Sequence, residues 1–339
     1  MENSEITIHD IAKILNIDSS TVSRALNNSP RVAQKTKNKI QAKAHELGYQ
    51  RNHLASNLRK NKTYTLGVIV PRISRHFFSS AIAGIEETAF KAGYNVIICQ
   101  SLESLEREES IINTLIANRV DGVLISISME TLNYQHLEGL KQRNIPFVFF
   151  DRHCNISGHS NVVIDDFNAA FKATDHLIKE NCKEIAHFAG PQELEIYKNR
   201  LRGYKAALNK YNFSFREELV IPSRLMKTDG ERNVQLMLET SYNVDGLFCA
   251  NDVIAIGAIK YLKQLGKKIP EEIAIVGFSN ETISSVIEPA LTTIHQSGSK
   301  IGIAAANLLM EKMSDNNIHK TITIKTDLII RKSSLKAIK

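Results

Sequence analysis

The chain has 339 residues, 43% apolar and 23% charged, with a formal net charge of +7. That length exceeds what a single core serves, so two or more domains are expected, and the ordinary composition excludes a disordered or collagen-like chain. The charge is lopsided: residues 1–62 hold 11 Lys and Arg against 5 acids, a net of +6, leaving +1 for the remaining 277. A small basic head on a neutral body suggests a polyanion-binding module attached to something else.

The opening Met1-Glu-Asn-Ser-Glu5 is polar with no apolar run behind it, so no export signal is expected. The longest apolar stretches, such as Leu66–Val70 and Phe147–Phe150, are too short to span a bilayer. Cys99, Cys154, Cys182 and Cys249 stand singly, without metal-ligand spacing, and read as small hydrophobes in a reducing, cytoplasmic compartment.

In chain order, Thr7-Ile-His-Asp10 starts a helix with a hydroxyl cap and an acid three residues on. Ile8, Ile11, Ala12 and Leu15 follow at helical spacing as one apolar face. After a break at Asn16 and Ile17, Asp18 caps a second short helix, Ser19 to Leu26, with Val22, Ala25 and Leu26 inward. Asn27-Asn28-Ser29-Pro30 is a loop, and a third helix runs from Ala33 to Leu47 with Gly48 behind it. Two short helices joined by a tight turn, with a third to bury them, form a helix-turn-helix whose second helix enters the major groove. Ser19, Ser20 and Arg24 then face base edges, with Arg24 suited to a guanine O6/N7 pair. Thr21 and Ser23 are placed for phosphates or capping, and Thr7 and Asn27 join the candidate DNA contacts. A small protein-binding helical subdomain is the alternative.

Residues 51–62 are polar and basic, with Leu54, Ala55 and Leu58 at helical spacing. The stretch is too short to be a stable helix alone, but could become one on DNA, where a leucine can wedge the minor groove. The pattern fits a flexible tether equally well.

From Thr65 strands alternate with helices. Leu66–Val70 is a strand, Ser79–Ala92 a helix ended by Gly93, Asn95–Cys99 a strand, Glu106–Asn118 a helix and Gly122–Ser126 a strand. Leu132–Arg143 is helix-like, and Pro146–Phe150 is a strand closing at Asp151-Arg152. The cycle restarts with strand Val162–Ile164, helix Asn168–Glu180, strand Ile185–Ala189, and helices Tyr197–Tyr211 and Asp229–Thr240. Strand Gly246–Ala250, helix Val253–Leu265, strand Ile273–Gly277, helix Ile301–Met313 and strand-like Thr321–Ile330 complete it. Two successive α/β runs predict two similar lobes with parallel sheets. Ligands of such sheets bind beyond the carboxyl ends of strands. That rule selects Phe77, Phe78, Ser101, Asp151, Arg152, Asp165, Asn251, Asp252, Ser279 and Asn280. Aromatics, carboxylates, amides and an arginine suit a polyhydroxylated ligand; taken singly, Asp165, Asp166 and Asp252 read equally well as helix caps. No P-loop, G-x-G-x-x-G after the first strand, H-E-x-x-H or nucleophile elbow is present, and neither an enzyme nor a metal or cofactor site is expected.

The strings Thr7-Ile-His-Asp-Ile-Ala12, Ser20-Thr-Val-Ser-Arg-Ala-Leu-Asn27, His45-Glu-Leu-Gly-Tyr49, Leu66-Gly-Val-Ile, Gly122-Val-Leu-Ile, Asn251-Asp252 and Val276-Gly-Phe278 resemble the lac-repressor/galactose-repressor family of bacterial transcription regulators. The resemblance covers the whole chain. It implies a helix-turn-helix over 1–50, a hinge over 51–62 and a two-lobed effector-binding and dimerisation body over 63–339, with the fold of periplasmic binding proteins. It implies a homodimer on a near-palindromic operator, with Leu58 as the intercalating hinge leucine and Ala55 and Arg59 beside it in the minor groove. Phe77 and Phe78 fall on the first-lobe effector wall, Arg200 at the ligand-binding arginine, and Asp151, Phe248, Asn251 and Asp252 on the second side, with Gln296 completing the set. Sugar-responsive members carry Gly-Phe-Asp-Asp where this chain reads Gly277-Phe-Ser-Asn280. A carbohydrate-type effector is expected over a nucleobase, and an acidic or phosphorylated sugar would not be repelled at Ser279. A solute-binding protein or a sugar-modifying enzyme of the same fold is the alternative.

Overall fold

The computed structural model describes residues 6–49, 62–154 and 158–336. The chain divides into two compact units, Met1–Asn61 and Lys62–Lys339. The expected hinge residues Ala55, Leu58 and Arg59 lie outside the described residues.

The first unit holds three helices: α1 (Ile8–Leu15), α2 (Ser19–Leu26) and α3 (Gln34–Glu46). α1 opens on a capping box in which the Thr7 amide and hydroxyl both donate to the Asp10 carboxylate, at 2.8 and 2.7 Å. It closes at Asn16 in the left-handed region, where a short polar side chain is tolerated. Asp18 caps α2 by accepting from the Ser20 amide at 2.7 Å. Ile11, Val22, Ala25 and Ile40 are completely buried, one cluster supplied by all three helices and edged by Ala12, Val32 and Ala44.

In chain order the second unit contains β1 (Thr65–Val70), α4 (His76–Lys91), β2 (Asn95–Gln100), α5 (Leu105–Ala117), β3 (Gly122–Ile125), α6 (Glu138–Gln142), β4 (Phe147–Phe150) and β5 (Ser160–Ile164). Then come α7 (Asp166–Lys179), β6 (Ile185–Ala189), α8 (Glu195–Lys210), β7 (Val220–Pro222), α9 (Lys227–Glu239), β8 (Gly246–Cys249), α10 (Asp252–Gln264) and β9 (Ala274–Ser279). β10 (Thr292–His295), α11 (Gly298–Ser314), β11 (Thr321–Ile324) and β12 (Asp327–Ile329) complete it. The described strands form two six-stranded sheets, ordered β11-β5-β4-β3-β1-β2 and β12-β10-β9-β8-β6-β7. All pairings are parallel except β12 with β10. Both faces of each sheet are covered, which explains the unbroken apolar strands: Leu66, Val68 and Val70 of β1 join one core cluster and Ile69 the other.

Two expectations need correction. The lobes are not two successive runs. Val162–Ile164, read as the start of the second run, belongs to β5 and pairs with β4 in the first sheet. Thr321–Ile330 is not one strand: β11 joins the first sheet beside β5, and β12 joins the second beside β10. The chain therefore passes between lobes three times, at Asp165, between β10 and α11, and at Lys325-Thr326. α4 and α11 lock the first lobe through close backbone approach, since a Cβ on Gly298 would sit 2.4 Å from the Phe77 carbonyl oxygen. Among the described residues, no helix is long and apolar enough to cross a membrane.

Candidate functional site

In the first unit, α2 exposes Ser20, Arg24 and Asn27, while Ser19, Thr21 and Ser23 are half-buried. The Asp18 carboxyl is held below its ordinary range by the Ser20 hydroxyl and amide, which fixes the start of the helix. Asn27 donates from Nδ2 to the Ser23 carbonyl at 2.7 Å, closing the C-terminal turn. Thr7 is committed to its capping box. Lys37 is buried and donates to the Asn28 carbonyl at 3.3 Å, tying α3 to the loop after α2. Arg24 thus projects from a helix whose ends are fixed by their own side chains.

In the second unit, the carboxyl ends of the strands face each other across a cleft of about 380 Å³. The loop after β1 and the first turn of α4 supply Arg72, Arg75, Phe77 and Phe78. Glu103 follows β2, Met129 and Glu130 follow β3, and Asp151 and Arg152 follow β4. From the second lobe come Tyr197 and Arg200 of α8, Arg224 and Met226 after β7, Asn251 after β8, and Ser279 and Glu281 at the end of β9. Gln296 sits in the second lobe-to-lobe passage.

Of the expected effector residues, Phe77, Phe78, Asp151, Arg152, Arg200, Asn251, Ser279 and Gln296 line this cleft. Phe77 and Phe78 do so as first-turn helix residues, because α4 begins three residues before the Ser79 expected from the pattern. Asp151 lies on the first lobe, after β4, not on the second side. Three residues are elsewhere. Ser101 is buried outside the lining. Phe248 is fully buried and stacks on His187, with ring centroids 4.6 Å apart. Asp252 is fully buried and accepts from the Thr293 hydroxyl at 2.6 Å and the Glu281 amide at 2.7 Å, so it fastens the β9–β10 end rather than facing the cleft. Asp165 caps α7 by accepting from the Asn168 amide at 2.9 Å.

The pattern missed Arg72, Arg75, Glu103, Tyr197 and Arg224. The strand-end rule would have included Arg72 and Arg75, which follow β1 directly. Arg224 was out of reach because β7, a three-residue strand, carries too little alternation to be seen.

The buried charges are organised in pairs. Arg152 forks onto Glu103 at 2.7 and 3.2 Å. Burial pushes the Glu103 carboxyl up, but Arg152, the Met129 amide and Arg72 together hold it below its ordinary value. Arg200 donates from Nε to Asp166 at 2.8 Å and from Nη1 to the Ala250 carbonyl at 2.6 Å. Its guanidinium lies 3.6 Å above the Phe278 ring centre. Burial raises the Asp166 carboxyl to about 6 despite Arg200. Burial likewise raises Asp151, against the pull of Arg152 and Arg200 and a hydrogen bond from Gln296. Asp166 opens α7 directly after the first inter-lobe passage, and Gln296 stands in the second. Groups that line the cleft are therefore bonded at or beside the passages that join the lobes. Across the mouth, Arg224 meets Glu130 at 3.1 Å.

Comparisons with known proteins agree in kind. Residues 7–52 match the family described as bacterial regulatory proteins, lacI family, and residues 174–334 match a periplasmic binding protein-like domain. The transcriptional repressor CytR of Escherichia coli strain K12 is 32% identical over 335 residues, spanning 98% of this chain and 97% of its own. Among solved structures, a transcriptional regulator CelR–cellobiose complex superposes with a TM-score of 0.74 at 25% identity, covering 97% of this chain and all of its own. The lac repressor dimer bound to operator and the anti-inducer ONPF has the same fold, with a TM-score of 0.87 at 23% identity, covering 98% of this chain and all of its own.

Proposed function

The chain belongs to the lacI family of bacterial regulatory proteins and is a DNA-binding transcriptional regulator rather than an enzyme, and from that premise we propose a homodimeric, cytoplasmic repressor whose grip on a near-palindromic operator is set by a carbohydrate-type effector closed between its lobes. The observation that carries this reading is the cleft itself. Aromatic faces at Phe77, Phe78 and Tyr197, and buried amides and carboxylates at Gln296 and Asp151, surround a volume at the small end of ligand cavities, which run from about 300 to 1,000 Å³. Rings stack on sugar faces, while amides and carboxylates hold hydroxyls. The relative CelR is named as a cellobiose complex, which favours a saccharide here.

The mechanism follows from the three passages. A ligand that bridges the lobes contacts Arg200 and Gln296, which are bonded to Asp166 and Asp151, so the lobe angle changes with occupancy. Paired first lobes then move, and with them the spacing of the two hinges and of the two recognition helices. A coupling of a few kcal/mol between ligand and operator suffices. In the first unit, Arg24 reads base edges, and the other basic residues supply phosphate contacts and a steep salt dependence.

The test is direct. A duplex is selected from a random pool by the full chain, and its affinity is followed by fluorescence anisotropy against salt and a panel of saccharides. Preference for the selected duplex over a scrambled one, with an affinity that at least one saccharide changes severalfold, is expected. Absence of duplex preference at low salt, or no response to any small molecule, overturns the reading.

A further inference from the structure

Five arginines line the cleft, and three are matched within the protein: Arg152 by Glu103, Arg200 by Asp166 and Arg224 by Glu130. Arg72 and Arg75 are not. Among the described residues neither has a carboxylate within ion-pair distance, and Arg72 makes no side-chain hydrogen bond. Arg75 reaches only neutral partners, with Nη2 3.5 Å from the Leu225 carbonyl oxygen and 3.4 Å from Met226 Sδ. Burial weakens the hold of Arg75 on its proton; Glu281 opposes this from a distance, the adjacent Arg72 charge adds to it, and Tyr197 and Glu103 oppose it more weakly. Two cations held side by side at a half-buried site are costly unless an anion joins them.

The backbone points the same way. Arg75 is the N-cap of α4 and makes no side-chain cap, so the first-turn amides at His76 to Phe78 have no side chain to accept from them. The N-terminal end of that 16-residue helix carries partial positive charge into the cleft. Two nine-tenths-buried side chains lining the same cavity also keep an unpartnered polar atom: Nε of Arg152, a donor, and Oε1 of Gln296, an acceptor.

We propose that the effector is a polyhydroxylated molecule bearing a terminal anionic group, phosphoryl or carboxylate, which Arg72, Arg75 and the first-turn amides of α4 receive while its hydroxyls meet Gln296 and Asp151. This rests on the effector reading above and narrows it. Arginine forks match either group in two-point fashion.

The experiment uses the full chain, with inorganic phosphate, glucose 6-phosphate, glucuronate and glucose as probes, read by thermal shift and calorimetric titration. Wild type, Arg72→Gln, Arg75→Gln and the double variant are compared. Saturable binding of phosphate or glucose 6-phosphate, weakened at least tenfold in the double variant, with glucose much weaker throughout, is the expected result. The same pattern with glucuronate in place of the phosphates identifies the anion as a carboxylate and equally supports the proposal. Anions that bind no better than glucose, or whose binding survives the double variant because they sit on the basic first unit, overturn it. Should the glutamine variants fail to fold, Arg72→Lys and Arg75→Lys keep the charge but not the fork, and must still lose severalfold in anion affinity. A neutral saccharide that binds and shifts operator affinity, with no anion preference, sinks this inference and leaves the effector reading standing. If no probe binds and no saccharide alters operator affinity, both fall.

Discussion

Arg24 and Arg200 are both helical arginines, and they differ in everything around them. Arg24 stands exposed on α2, above a core of a few apolar side chains that it does not touch. Arg200 is 4% exposed, bonded to Asp166 and Ala250 and laid over Phe278. In the first unit the groups that face a partner stand apart from those that hold the fold. In the cleft they are the same atoms. A DNA reader must present unsatisfied donors to a partner, so its charges remain outside. The cleft charges, by contrast, are bonded at or beside the passages that join the lobes, where the proposed effector would act on both.

The largest expected effect comes from breaking that arrangement in the cleft. Arg200→Ala leaves Asp166 buried without its partner, and should cost about 3–5 kcal/mol of stability in denaturant unfolding. A loss of less than about 1 kcal/mol, within the range of an ordinary surface substitution, would show that Arg200 is no more structural than Arg24.

Next in size is a pH effect confined to the body. Burial raises Asp252 to about 7 and Asp166 to about 6, both well above the ordinary 3.8. A raised carboxyl binds more protons folded than unfolded, so its contribution is present below about 4 and is lost as pH climbs through its folded value. His187 runs the other way: burial lowers it to about 4, so its penalty is felt below about 6.5 and disappears as pH rises. Burial lowers His153, His159 and His176 in the same sense and raises Asp151, so the sign is predicted for the Asp252 contribution alone, which should be lost as pH rises from 5 to 7.5. Asp252→Asn should flatten that loss when urea midpoints are compared at the two pH values. An unchanged slope would mean that Asp252 does not titrate there. The first unit has no such buried carboxyl among its described residues, and its helicity should not follow this profile.

The same contrast governs what the sequence revealed. α1, α2 and their caps were readable because each signal is local: Thr7 with Asp10, and Asp18 with Ser20. The body's strands were readable one by one from continuous apolar runs, but their assignment to lobes was not. Nothing local distinguishes Val162–Ile164 or Thr321–Ile324 from strands of the second sheet, since sheet membership is decided by pairing partners far along the chain. In the cleft, the strand-end rule found Asp151, Arg152, Asn251 and Ser279. It overreached at Asp252 and Ser101, because a rule of position cannot say which way a side chain turns, and the family resemblance overreached likewise at Phe248. It missed Arg224 because the strand before it is only three residues long.

On the DNA side, Arg24→Ala should relax base preference by about 1–3 kcal/mol at one position of the selected duplex while leaving thermal unfolding almost unmoved. Equal losses on selected and scrambled duplexes would reassign Arg24 to a phosphate contact. A large fall in melting temperature would erase the contrast with Arg200.

The smallest effect tests whether the division inside the first unit is as clean as drawn. Thr7 was expected among the DNA contacts, yet its hydroxyl donates to Asp10 within the capping box that starts α1. Thr7→Ala should therefore cost the unit about 1 kcal/mol. Duplex affinity should fall only as far as the folded population does, equally on selected and scrambled sequences. Thr7→Ser keeps the cap and loses only a methyl group, so it should restore both helicity and binding. If instead Thr7→Ala weakens duplex binding with no change in unfolding, the hydroxyl serves the partner as well as the helix. Cap and contact would then share one side chain in the first unit, as the proposed function has fold and effector contact share Arg200 in the cleft.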